Sequence, residues 1–226
     1  MTITYYGHAC FQVETAGKRL LFDPFITPNE LAQHIDINTI TPDYVLISHG
    51  HSDHIHDAVS ILQRSGATAI CAWEIMGWLN KHGIEKVHPM NTGGKWTFDF
   101  GTVQCTVAHH SSSLPDGSYG GNPMGFVVQT SEGAFYYSGD TALTLDMKLI
   151  GDRYNLRIAL LPIGNNFTMG IDDAITAAEF IKCNTIIGVH YDTFGFIKIH
   201  HDEAKTAFSK AGKTLTLLDI GTSITI

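Results

Sequence analysis

Short apolar runs rich in valine, isoleucine and aromatic residues alternate along the chain with stretches of helical spacing, separated by Pro-Asp, Asp-Gly, Gly-Gly and Gly-Asn pairs. That alternation predicts an α/β fold. Residues 3–6, 10–14 and 20–22 read as a meander of short strands turning at Gly7 and at Ala16-Gly17. Helical spacing covers 55–64 and 73–82, each stopped by a glycine, Gly66 and Gly83, suited to the left-handed position past a helix end. A third helix runs from Asp172 or Asp173 to Lys182, with an acidic start that suits the N-terminal dipole and Ile175, Ala178, Phe180 and Ile181 as apolar contacts. A fourth spans 202–210. Residues 27–42 and 111–125 are the longest irregular stretches, and such loops in a compact domain often carry function. No linker, repeat or low-complexity tract divides the chain, so 1–226 reads as one domain.

Four apolar runs end in residues that bind metals. The run 44–47 feeds Ser48 and then His49-Gly50-His51-Ser52-Asp53-His54, while 103–108 runs into His109-His110, 134–137 into Ser138-Gly139-Asp140, and 185–189 into His190. In open α/β sheets, ligands gather beyond the C-terminal ends of strands. Three imidazoles and a carboxylate within six residues hold one divalent ion and start a second site. On a tight turn, His49 and His51 point to one side while Asp53 and His54 point to the other. With one histidine of the 109–110 pair, Asp140 and His190, the donors number five histidines and two aspartates. There are 13 histidines in the 226 residues, so a single one reads as a hydrogen-bonded structural residue, and Asp140 alone reads as a turn residue. Their joint placement after strands reverses those odds.

Charge narrows the function classes. A formal net charge of −8, with no basic run longer than Lys18-Arg19, argues against a protein that tracks nucleic acid and favours a small-molecule substrate. No apolar run approaches the ~20 residues of a membrane span, and the N-terminus lacks the basic and apolar regions of a secretion signal, so the expected location is the cytoplasm. Cys10, Cys71, Cys105 and Cys183 show no Cys-x-x-Cys spacing and read as buried, reduced thiols.

The ordered set His-x-His-x-Asp-His, a later histidine, Gly-Asp and a late histidine resembles the metallo-β-lactamase superfamily. Gly7-His8-Ala9, Phe22-Asp23-Pro24-Phe25, Gly139-Asp140-Thr141, Pro162-Ile163-Gly164, Asn166 to Gly170 and Val189-His190-Tyr191 are similar to its small metal-dependent hydrolases, to which the L-ascorbate-6-phosphate lactonase-like enzymes are related. The resemblance implies a four-layer αββα sandwich with a two-metal site at one edge. It implies His49, His51 and His110 on the first ion, with His110 preferred over His109 because it precedes the small pair Ser111-Ser112. Asp53, His54 and His190 fall on the second ion, and Asp140 bridges. The implied activity is hydrolysis of a small ester, lactone or phosphodiester by a metal-bridging hydroxide. Asp140 would anchor both ions, and Asp53 would hold the nucleophile's proton. Zinc suits the donors best, and manganese, nickel or iron fit as well. A di-iron redox protein and a non-catalytic metal-binding module are the alternatives. Asn165 stands where relatives often carry aspartate, and Gly195 where they often carry proline.

Beyond that set, His8 reads either as a satisfied turn histidine or as a catalytic proton carrier, and Asp23 either shapes a turn or orients a ligand imidazole. Asn165, Asn166 and Thr168 offer neutral groups to substrate. His34, His82, His88, His200 and His201 are assigned to the surface or loops, and the Trp73/Trp78 pair to the core. Phe194, Phe196 and Ile197 read as exposed apolar residues suited to a homo-oligomer contact or a pocket wall.

Overall fold

Two seven-stranded sheets face each other across a shared apolar core, each antiparallel in one half and parallel in the other. The computed structural model describes residues 1–226. The first sheet contains β1 (Thr2–Gly7), β2 (Cys10–Thr15), β3 (Lys18–Phe22), β4 (Tyr44–Leu46), β5 (Thr68–Ala72) and β6 (Val87–Met90). The second contains β7 (Lys95–Phe98), β8 (Gly101–Val107), β9 (Met124–Thr130), β10 (Gly133–Tyr137), β11 (Leu156–Pro162), β12 (Thr185–Val189) and β13 (Thr214–Thr216). The last strand, β14 (Ser223–Thr225), returns to pair with β1. The helices are α1 (Ser52–Ile55), α2 (Ala58–Ser65), α3 (Trp73–Lys81), α4 (Asp146–Arg153), α5 (Ile171–Phe180) and α6 (His201–Lys210). Helix α3 packs on β5 and β6, while α5 packs on β11 and α6 on β13, giving the predicted αββα layering.

The period of two in the strands explains the layers. In β9 and β10, Phe126, Val128, Phe135 and Tyr137 join the core between the sheets, while Val127, Ala134 and Tyr136 join a second core under α4 to α6. With both faces covered, such strands read as continuous apolar runs rather than alternating ones. Stacked Phe11 and Phe22, with ring centroids 4.5 Å apart, meet Tyr137 edge-on and tie the sheets together. All four cysteines are buried and free.

The expected helix 55–64 is instead two, α1 and α2, broken at His56-Asp57. The Asp57 carboxylate accepts hydrogen bonds from the Ile26 and Thr27 amides and the Thr27 hydroxyl, and its own amide donates to the Pro24 carbonyl. These long-range bonds outweigh continuity of the helix and fasten the loop after β3. The third helix ends at Phe180 rather than Lys182, because Lys182 takes a left-handed φ of 53°. Helix α4 carries no strong signal: it is eight residues long, contains Gly151, and exposes Leu149 while burying Met147 and Ile150.

Trp78 is buried but Trp73, at the first position of α3, is 64% exposed, which corrects half of the expected pair. Ile197 is likewise fully buried, whereas Phe194 and Phe196 are exposed. His88 sits on β6, half-buried against Trp96 and Phe98, while His34, His82, His200 and His201 lie on the surface.

Candidate metal centre

Strand ends supply most of the site, and the short helix α1 carries Asp53 and His54. Asp23 follows β3, Ser48 and His49 follow β4, His110 follows β8, Asp140 follows β10 and His190 follows β12. Parallel pairing of β3 with β4, through Phe22 and Leu46, sets Asp23 beside Ser48, whose amide donates to Asp23 Oδ1 at 2.7 Å. The His-x-His-x-Asp-His segment is closely packed at its second position: a Cβ on Gly50 would sit 3.0 Å from Leu114 Cδ2 and 3.2 Å from the Ser113 carbonyl. The Gly50 amide donates to Ser112 Oγ, so the irregular 111–125 segment braces the motif. Gly139 likewise takes φ 61° and has the Met124 carbonyl 2.8 Å from where a Cβ would lie, which is how β10 turns Asp140 inward.

The donors form two groups. His49 Nε2 and His51 Nδ1 stand 3.0 Å apart, and the His110 ring is 5.1 Å from each of theirs. His8, Asp53, His54 and His190 form the second group, their donor atoms within 4.8 Å of one another. Asp140 reaches both, with Oδ2 3.0 Å from His190 Nε2, 3.2 Å from His54 Nε2 and 3.7 Å from His110 Nε2. His109 points elsewhere, 59% exposed and 3.9 Å from Asp146. All seven sequence-derived ligand positions therefore converge, with His110 rather than His109 in the cluster.

Asp23, fully buried, fixes the tautomers. Its Oδ2 accepts from Tyr137 Oη, from His54 Nδ1 at 2.8 Å and from Ser48 Oγ. Because the Ser48 hydroxyl spends its one proton on Asp23, it accepts from His49 Nδ1 at 2.9 Å. Nε2 is then the nitrogen that both His54 and His49 turn to the site, the orientation that a buried carboxylate imposes on ligand imidazoles. His8 bridges outward, with Nε2 3.0 Å from Asp53 Oδ2 and Nδ1 3.0 Å from Thr193 Oγ1. Eight residues other than glycine have positive φ, and six of them (His8, Asp23, Asn165, Asn166, His190 and Asp192) lie in the loops at this edge. Strain of this kind persists where the surroundings over-determine a functional geometry.

The electrostatics divide the imidazoles. Burial, reinforced by neighbouring imidazoles, holds His49, His51 and His110 below the ordinary histidine value, and burial together with nearby His190 brings His8 down to about 4. Burial also opposes a charge on His54 and His190, but Asp140 and Asp53 outweigh it and hold His54 well above the ordinary value and His190 up at about 9. Reciprocally, burial works against ionised Asp140 and Asp53, yet the facing histidines hold both well below the usual carboxylate range.

This donor set fits divalent metal. His54 Nε2 and Asp140 Oδ1 are buried without a hydrogen-bond partner, and the two ring nitrogens of His49 and His51 face each other. Unpaired buried polar atoms are costly, and convergent lone pairs are what an ion neutralises. Ser48, Tyr137 and Thr193 were not singled out from the sequence. The signal for Ser48 is its place between an apolar run and the motif. Thr193, three residues after His190, and Tyr137, inside an apolar strand, carry none.

A family model described as a β-lactamase superfamily domain matches residues 2–190. Over 224 residues, 99% of both chains, the sequence is 52% identical to a metal-dependent hydrolase of Flavobacterium johnsoniae and 51% identical to one of Methylacidiphilum infernorum. Among solved structures, a metallo hydrolase of the archaeon Ignicoccus hospitalis superposes with TM-score 0.90 at 33% identity, covering 100% of this chain and 97% of that one. An isothiocyanate hydrolase from Delia radicum gut bacteria shares the fold at TM-score 0.81 and 17% identity, covering 100% and 99%.

Proposed function

The chain belongs to the metallo-β-lactamase superfamily, and from that membership we propose that its convergent donor set is a binuclear centre for hydrolysis of a small ester or lactone. The observation that carries this reading is Asp140, whose Oδ2 reaches both histidine groups. His49, His51 and His110 would hold one ion, Asp53, His54 and His190 the other, and Asp140 would stand between, with zinc the best match to an imidazole-rich set. Divalent ions bound here supply a water acidic enough to ionise near pH 7 and an electrophilic partner for the substrate's oxygen.

The protein's own groups do the rest. Asp53 is the most accessible of the second group, with its side chain 26% exposed. His8 engages its Oδ2, which leaves Oδ1 to accept the proton of the attacking water. Neutral His8 donates from Nε2 and keeps Asp53 turned toward the site, with Thr193 steadying its other nitrogen. Asn165, offered by the sequence as a substrate contact, instead lines a separate polar cleft with Asp172, Asp173, Lys198 and Glu203. We read the whole chain as one catalytic unit acting on a small molecule. A reducing cytoplasm suits four buried free cysteines, and no helix is long and apolar enough to cross a membrane.

Proton release tests the ligand assignment. In the metal-free protein at pH 7, His190 carries a proton because its value lies at about 9, and the facing carboxylates favour the charged form of His54 as well, whereas burial disfavours a charge on His49, His51 and His110. Loading two ions per chain should release protons, that of His190 among them, and affinity should rise with pH through the His190 value of about 9. Calorimetry in buffers of different ionisation enthalpy measures both. Binding of one ion, or release of none, contradicts the assignment.

A further inference from the structure

We infer that the substrate of this centre carries an uncharged aromatic group, which seats in an aromatic-walled cavity beside His8; this rests on the hydrolytic reading above. A cavity of about 590 Å³, within the usual range for small-molecule sites, lies between three loops. Its walls include Pro28 and Glu30 from the segment after β3, Phe167 from the loop after β11, and Thr193, Phe194 and Phe196 from the loop after β12. Phe167 and Phe196 face each other edge to face with centroids 6.4 Å apart, and both are more than half exposed. Phe194 lies edge-on to His8 at 5.3 Å, and Phe25 closes the back of that contact at 5.4 Å from His8.

A chain of hydrogen bonds links the cavity wall to the centre. Thr193 both lines the cavity and meets His8 Nδ1, and His8 meets Asp53. The loop is also built to hold its aromatics out. Buried Ile197 anchors it, its amide donating to the Phe194 carbonyl, while the Asp192 carboxylate accepts from the Ile199 amide and pairs with His201. Large exposed aromatics on a fixed loop present apolar area at little entropic cost, and edge-to-face geometry favours a ring as the occupant.

Charge selects the class. Glu30 is the only ionisable group on the cavity wall, and the groove beside His110 also has no lysine or arginine. Neither offers a side-chain cation, so a charged substituent seated in either, away from the metal-holding residues, finds no partner there. The reaction is then the addition of water across an acyl–oxygen bond, water's hydroxyl going to the acyl carbon and its proton to the leaving oxygen, with no oxidant or reductant required.

The test pairs turnover with binding. With zinc-loaded protein, kcat/KM for methyl phenylacetate should exceed that for methyl acetate by at least about tenfold, and for the dianion phenyl phosphate it should be lower than for either. In Phe196→Ala and Phe167→Ala, the ratio between the two esters should fall toward one, mainly through KM. Fluorine NMR of 4-fluorophenylacetone with metal-free protein reads the cavity independently of turnover, and Kd should rise about tenfold in either variant. Binding that is lost in the variants supports the cavity even if no ester is hydrolysed, in which case the hydrolytic reading alone fails. Equal kcat/KM for the two esters, preference for the phosphate, or probe binding unchanged in both variants overturns the inference.

Discussion

Asp140→Asn is expected to lower metal-dependent turnover by about 10³-fold or more while leaving the fold intact. Loss of several kcal/mol of stabilisation by the ions corresponds to that range. Asp140 is the one carboxylate with an oxygen within 4 Å of ring nitrogens of both groups, those of His54 and His190 on one side and His110 on the other. An amide of the same size removes the negative charge and turns an NH₂ toward ring nitrogens that are themselves to face cations. The Gly139 turn that places the residue is unaffected, so circular dichroism and the midpoint of thermal unfolding of the metal-free protein should change little. His51→Ala provides the contrast. His51 is only half-buried and belongs to the His49–His51–His110 group alone, so its loss should remove one ion of two and a similar share of activity. Metal analysis of the two variants beside their rates separates the cases, and full activity in both would contradict the site.

Asp23→Ala should be the most damaging substitution outside the ligand set, costing about 3–5 kcal/mol of stability and weakening metal binding about 10–100-fold. The carboxylate is fully buried and accepts from the Ser48 amide, Ser48 Oγ, Tyr137 Oη and His54 Nδ1. Removal leaves those donors unpaired in the core and frees the tautomers of both His54 and, through Ser48, His49. Asp23→Asn separates the contributions. Asparagine tolerates the left-handed φ of 41° at this position, so backbone strain is not added, but its NH₂ opposes a donor. It should recover part of the stability and little of the metal affinity. Denaturant unfolding of the metal-free variants and zinc titration measure the two effects. Equal zinc affinity in Asp23→Ala and the unaltered protein would show that Asp23 does not orient the ligands.

The site was more legible in the sequence than the fold that presents it. Its ligands share one local signature, an apolar run followed by a donor, and parallel strands bring their C-terminal ends to one edge, so His49, Asp140 and His190 were readable one strand at a time. The choice of His110 over His109 needed more than spacing, because adjacent residues leaving a strand point in opposite directions and nothing local says which. What stayed hidden depends on distant partners. Asp57 looks like an ordinary helix residue until its carboxylate is seen to hold the Ile26 and Thr27 amides, 31 and 30 residues earlier. Thr193 has no role until His8, 185 positions away, is placed against it. Trp73 and Ile197 were misjudged for the same reason: both are apolar, and burial is decided by which face of the element meets a neighbour. The aromatic cavity was half-visible, as exposed Phe194 and Phe196, but Phe167 joins it from a separate loop.

The most direct test is the initial rate of hydrolysis by chelator-stripped protein, with and without added zinc or manganese, on a panel containing a carboxylic ester, a lactone, a thioester, a phosphodiester and a β-lactam. The expected result is a rate restored by metal on the ester or lactone and absent when Asp140→Asn is loaded in the same way. Two ions bound per chain with no metal-restored rate on any member of the panel would contradict hydrolysis as the work of this centre.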